Sequence, residues 1–193
     1  MPLKTSPIKG FLTLCLLAGV ITLFLASPSF ASKPIQIVIG TVTKVSDGDT
    51  IQITTPEQTK LRVRLYGVDA PETPKINQRT GRVNKPGQSH GLEFWKALEG
   101  KILGKQVQFE ISDIDKYKRM VGIIWIGERN INLEMVQEGY AEAYIKHLKE
   151  PYRSQFVREE REARSAKIGI WALPGYERPK DFQKRLKIRG ADG

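Results

Sequence analysis

Two short acidic runs and two arginines are the groups in this chain best suited to chemistry. Asp47-Gly48-Asp49-Thr50 sets two carboxylates at the start of a strand-like stretch, and the run Arg64 to Thr73 (RLYGVDAPET) releases Arg64, Asp69 and Glu72 from the end of another. Asp49 shares one side of its strand with Ile51 and Ile53, which sets it at the rim of an apolar interior, where a carboxylate needs a cation or strong donors. A hard cation held by Asp49 and Asp69 would complete its shell with backbone carbonyls and water, which is ordinary oxygen coordination for calcium. Asp115-Lys116-Tyr117-Lys118-Arg119 adds a second planar, permanently charged group able to grip phosphate oxygens. Each group alone has a plainer reading: Asp-Gly-Asp as a tight turn, Arg64 with Asp69 as an ion pair, 115–119 as a charged β-turn.

The elements that must carry these groups can be read from pattern. Ile35 to Val45, Asp49 to Thr54 and Leu61 to Tyr66 are rich in β-branched residues and separated by turn-prone residues, so three consecutive strands are expected. On the third, Leu61, Val63 and Leu65 alternate inward and leave Arg62, Arg64 and Tyr66 on the other face. Residues 70–90 hold Pro71, Pro74, Gly81, Pro86 and Gly87 without apolar periodicity and read as a long exposed loop. Helical spacing returns at Leu92, Trp95 and Leu98, with Ser89 as the expected N-cap and Gly104 past the end. Gln106 to Ile111 and Val121 to Ile126 supply two more strands, and helices are expected over Asn130–Glu138 and Pro151–Lys167, stopped by Gly139 and Gly169. Five strands with a helix between the third and fourth predict an α+β, mainly β fold: a five-stranded OB-type barrel with about three packed α-helices. Such a fold carries no chemistry by itself.

Composition bounds the partner. The 193-residue chain has a formal charge of +10, and a polyanion is the natural partner, although a basic surface also serves solubility or adhesion to an anionic envelope. Residues 1–31 combine Lys4 and Lys9, an apolar run from Phe11 to Ala26, and small Ser29 and Ala31 placed like a cleavage site, so a signal peptide cut after Ala31 is expected. The alternative is an uncleaved membrane anchor, for which the run is short against the ~20 residues a spanning helix needs. Cys15, the only cysteine, lies in that run, which leaves neither a disulfide framework nor a thiolate metal site in the remainder. Residues 173–193 hold Pro174, Gly175 and Pro179 among many basic residues and read as a basic tail, partly ordered at best beyond Phe182.

In order along the chain, the three motifs and two further blocks, Asn132 to Tyr144 and Ala163 to Trp171, resemble the staphylococcal nuclease, or thermonuclease, family over roughly residues 36–172. That resemblance implies a secreted, calcium-dependent phosphodiesterase acting on DNA, RNA or both and leaving 3′-phosphates. Residue by residue, it implies Asp49 and Asp69 as the carboxylate ligands of one calcium ion, joined by the backbone carbonyl of Ala70. Glu72 becomes general base or water-orienting group, and Arg64 and Arg119 neutralise charge growing on the phosphoryl group. Lys116, Tyr117 and Tyr144 correspond to positions around the bound nucleotide, with fold packing as their competing role. Ala70 stands where Thr is frequent, which a backbone ligand tolerates, and Lys146 replaces a second aromatic two residues after Tyr144. Lys118 replaces a frequent Gly, which bears on the aim of Arg119 if that position needs a positive φ.

The rival expectation is an OB-fold module that binds nucleic acid or another polyanion without hydrolysing it. A pure binder has no need of two carboxylates facing its own polyanionic ligand, so the set Asp49, Arg64, Asp69, Glu72 and Arg119 favours the enzyme. His90 and His147 are assigned to the surface. A monomer is expected, exported to the periplasm or medium, or held at a membrane if the N-terminal segment is retained.

Overall fold

A computed structural model describes residues 36–191, with side chains through residue 188. The expected signal segment, residues 1–31, and Cys15 lie outside the described residues. In chain order the elements are β1 (Gln36–Asp47), β2 (Thr50–Thr54), β3 (Lys60–Leu65), β4 (Val68–Asp69), β5 (Lys75–Ile76), β6 (Val83–Lys85), α1 (Gly91–Ile102), β7 (Gln106–Ile114), β8 (Met120–Ile126), β9 (Arg129–Asn130), α2 (Ile131–Gln137), β10 (Glu142–Ala143), α3 (Tyr152–Ser165) and α4 (Pro179–Ala191), with a short 3₁₀ turn at Gly169–Ala172.

The barrel follows from period-2 patterning. β3, β2, β1, β7 and β8 pair antiparallel in that order, and a parallel β3–β8 pairing closes the ring. Inward residues such as Ile51 and Ile53 of β2, Val63 and Leu65 of β3 and Phe109 of β7 are buried, and they alternate with polar residues facing out. Closure also removes the exposed edges that a five-stranded sheet would otherwise present. This is the expected OB-type architecture. Helix α1 buries Phe94, Leu98 and Ile102, one stripe at i, i+4 and i+8. Helices α2 and α3 contribute Met135, Val136 and Phe156 to the same core.

Four local expectations are corrected. The stretch 70–90 is not featureless, because β5 and β6 form a small hairpin inside it, Lys75 opposite Lys85. The residue before α1 is His90, in left-handed backbone at φ 61°, and it makes no side-chain cap, so Ser89 is not the N-cap. Tyr66, expected outside with Arg62 and Arg64, lies just past β3 and is buried; its hydroxyl donates to the His147 carbonyl at 2.6 Å and accepts from the Lys149 N–H. The segment read as a basic tail is instead a helix from Pro179 onward, with Phe182 buried.

One polar side chain ties barrel to helix. Asn132, fully buried in α2, accepts from the Ile124 N–H at 3.0 Å and donates to the carbonyls of Tyr66 and Gly122 at 2.9 and 3.0 Å. It thereby joins the exit of β3, the middle of β8 and α2. Asn132→Leu removes all three bonds, although the Gly122 carbonyl keeps the Tyr66 N–H as a donor at 2.8 Å, so urea unfolding should show a loss of about 2–4 kcal/mol; a loss under about 1 kcal/mol would show the network to be dispensable.

Candidate active site

Strand pairing brings the sequence-predicted residues together at one mouth of the barrel. Thr50 pairs with Arg64 across β2 and β3, and Arg64 pairs with Val121 across β3 and β8, two residues beyond Arg119. Asp69 follows on β4, which pairs with Glu142 of β10. Residues 49 to 121 therefore converge because adjacent strand ends must.

Arg64 is the hub. Its Nη1 lies 2.6 Å from Asp49 Oδ2, and its Nη2 lies 3.5 Å from Asp69 Oδ1 and donates to the Val68 carbonyl at 3.3 Å. Asp49 and Asp69 are only 8% and 9% exposed. Burial pushes the Asp49 carboxyl up from its ordinary range, although Arg64 works against the shift. Asp69 is pushed up to about 7, first by burial and then by the neighbouring Asp49 charge, with Arg64 opposing. Burial also works against the Arg64 charge, but the two carboxylates outweigh it and hold the guanidinium above its ordinary value. Two buried carboxylates thus share one cation, and the longer contact leaves Asp69 the less compensated of the two.

The donor set fits a hard cation. Gly48 packs against Ala70 so closely that a Cβ on residue 48 would stand 2.6 Å from the Ala70 Cβ. Glycine in the Asp-Gly-Asp turn therefore lets the Asp69-Ala70 segment close on Asp49, with two anionic oxygen donors and a main-chain carbonyl in adjoining segments. Among the described residues no group of three His, Cys, Asp or Glu side chains gathers as a metal cage. A cation here would rest on two carboxylates plus main-chain and solvent oxygens.

Arg119 is aimed by its own turn. Its Nε and Nη2 each lie 2.7 Å from Asp115 Oδ2, and its Nη1 donates to Thr50 Oγ1 at 3.2 Å. Thr50 in turn donates to Asp49 Oδ1 at 2.8 Å, so one hydroxyl couples Arg119 to the buried carboxylate. Asp115 also accepts the N–H groups of Tyr117 and Arg119. Lys118 has φ 59°, the left-handed backbone for which Gly is favoured, and Arg119 nevertheless keeps its contacts. Tyr117 is 63% exposed, with the Lys116 ammonium 5.1 Å and the Arg119 guanidinium 5.5 Å from its ring centre. Tyr144, half-buried, adds to the electrostatic environment of Arg64, and its N–H donates to the Gly67 carbonyl.

Glu72 sits in the loop after β4, and residues that sequence pattern did not single out hold it. Its Oε2 lies 2.9 Å from Lys85 Nζ, and its Oε1 accepts from Gln183 Nε2 at 2.6 Å. Its backbone is clamped twice by Gln88, whose side-chain oxygen accepts the Glu72 N–H and whose own N–H donates to the Glu72 carbonyl. Asp47, the first acid of Asp-Gly-Asp, staples the same loop to the turn by accepting from the N–H and hydroxyl of Thr73 and from Lys75. The only sequence signal for any of these was the place of Asp47 as the first carboxylate of that motif.

A family model described as staphylococcal nuclease homologue matches residues 62–173, from just before Arg64 past Arg119. The chain belongs to this family. A micrococcal nuclease of Shigella flexneri is 30% identical over 179 residues, covering 88% of this chain and 91% of that protein. A thermonuclease of Staphylococcus intermedius is 33% identical over 132 residues, covering 67% and 74%. An uncharacterized endonuclease of Haemophilus influenzae is 30% identical over 150 residues, covering 78% and 75%.

The raised Asp69 carboxyl has a signed consequence. Between an unfolded value of about 3.9 and a folded value of about 7 the native state holds the extra proton, so this group costs stability as pH rises through that window. In chelator, Asp69→Asn should gain stability relative to the parent as pH rises from about 4 to 7, by a few kcal/mol in urea unfolding. A difference that does not vary with pH would refute the shift.

Proposed function

We propose that this family member is an exported, calcium-dependent nuclease that hydrolyses phosphodiester bonds of DNA, RNA or both. Its membership of the staphylococcal nuclease family makes it a phosphodiester hydrolase of nuclease type. The observation that carries the finer reading is the pair of buried carboxylates, Asp49 and Asp69, gathered on Arg64 beside Arg119 and Glu72.

In this reading Asp49 and Asp69, with the Ala70 carbonyl, hold the calcium ion, whose charge stabilises the phosphoryl oxygens when it is bound. Arg64 and Arg119 present planar guanidinium groups, each fixed by carboxylate or hydroxyl partners, toward the negative charge that develops on the phosphoryl oxygens. Because their orientation is set before substrate arrives, little reorganisation remains for the transition state. Glu72 takes a proton from, or orients, the attacking water, and its own orientation is set by Lys85 and Gln183. Lys116 and exposed Tyr117, with Tyr144 nearer the barrel, offer charge and a stacking face to the nucleotide. Export rests on the pattern of residues 1–31.

With the purified protein and single-stranded DNA, chelation should abolish cleavage and added calcium should restore it. Full activity in chelator would exclude the mechanism, and a folded protein inert in excess calcium would favour the binding module. Glu72→Gln and Arg119→Lys should each lower kcat by about 100-fold or more, with thermal midpoints close to the parent. Large losses of stability with unchanged kcat would reassign both residues to the fold.

A further inference from the structure

The C-terminal segment, outside the stretch matched by the family model, reaches the candidate base. Gln183 on α4 donates to Glu72 Oε1 at 2.6 Å, across 111 positions of sequence. A second route runs through Gln88, which clamps the Glu72 backbone and whose Nε2 donates to the Glu177 carbonyl at 2.7 Å. The segment is seated by more than these bonds. Arg178 binds the buried Glu142 carboxylate through Nε and Nη2 at 2.5 to 3.0 Å, Arg185 grips Glu177 through two bonds, and Phe182 is buried next to Gln183.

The Glu72 carboxylate has one freely rotating end and two oxygens. Lys85 holds Oε2 and Gln183 holds Oε1, so its plane is defined only when both donors are present. Lys85 lies on a short exposed hairpin, whereas Gln183 lies on a helix anchored by a buried aromatic and a bidentate ion pair. The anchored donor is the one able to fix the direction. Gly91 reinforces the arrangement, since a Cβ there would stand 2.3 Å from the Glu72 carbonyl, so the first turn of α1 presses on the same loop.

We propose that Gln183 is a positioning residue for Glu72, and that α4 is a working part of the active site. This rests on the assignment of Glu72 as base or water-orienting group. The amide suits the role because it donates one hydrogen bond to Oε1, fixing the carboxylate plane, and leaves the remaining lone pairs available for water. Anchoring by Phe182 and Arg178 transmits fold rigidity to a side chain on an otherwise irregular loop.

Gln183→Met keeps the side-chain length and removes the donor, and Gln183→Lys restores a donor of similar reach. In the full-length protein with saturating calcium, Gln183→Met should lower kcat by about 10- to 100-fold while KM stays within about threefold and the thermal midpoint is unchanged. Gln183→Lys should recover most of that kcat. Parental kcat in Gln183→Met overturns the proposal, and a raised kcat overturns it in favour of an inhibitory latch. A common loss of kcat and stability in both variants assigns Gln183 to folding alone and also overturns it. Glu72→Gln, measured alongside, separates the two levels. If it abolishes turnover while Gln183→Met keeps the parental kcat, only the positioning role fails; if it retains parental turnover itself, the assignment of Glu72 fails as well.

Discussion

Two carboxylates buried around a single guanidinium are the constraint to which the rest of this structure answers. Taking Asp49 and Asp69 out of water is unfavourable, and Arg64 compensates them unequally, with one short and one long contact. A fold selected for stability alone would replace such a group with apolar residues or add a second cation. The barrel instead spends its rigidity on holding the arrangement. Asp49 stands at the end of a strand whose next inward residues are Ile51 and Ile53, Arg64 is locked by pairing on both sides of β3, and Gly48 lets the Ala70 segment close over the turn. In the proposed reading, this under-compensated pair of oxygen donors beside two fixed arginines serves a cation and a phosphate together.

Around that centre, secondary contacts set direction. Thr50 couples Arg119 to Asp49, Asp115 holds the arginine fork, and Asp47 pins the loop from which Glu72 projects. Glu72 comes from the least regular part of the chain, and it draws its order from Lys85, Gln88 and Gln183 rather than from a strand. The C-terminal helix thereby becomes continuous with the site. Its anchor, Arg178 on Glu142, sits beside Asp69 through the β4–β10 pairing.

What was legible in the sequence was whatever depends on local period. Alternation gave the inward faces of β2 and β3, and with them the placement of Asp49 and Arg64 at a strand end; Gly139 and Gly169, both at positive φ, marked helix exits. Lys118 showed its Gly-like backbone through a departure from the resemblance, and the structure places it at φ 59°. Contacts made across long separations were not legible. Gln183 and Glu72 lie 111 residues apart, and neither Lys85 nor Gln88 belongs to a periodic pattern that would set its direction. The C-terminal segment looked like a tail because its charges dominate its composition. Phe182 and Arg178 anchor it by one apolar contact and one ion pair, which leave no periodic trace.

The most direct test of the carboxylate pair as a calcium site is calorimetric titration of the purified protein with calcium, in buffers of different ionisation enthalpy. With Asp69 near 7, one ion per chain should bind near pH 6.5 with release of a substantial fraction of a proton. That release should vanish near pH 9 and be absent in Asp69→Asn, which should also bind calcium far more weakly. Binding that is absent, or that is unchanged in Asp49→Asn and Asp69→Asn, would contradict the account.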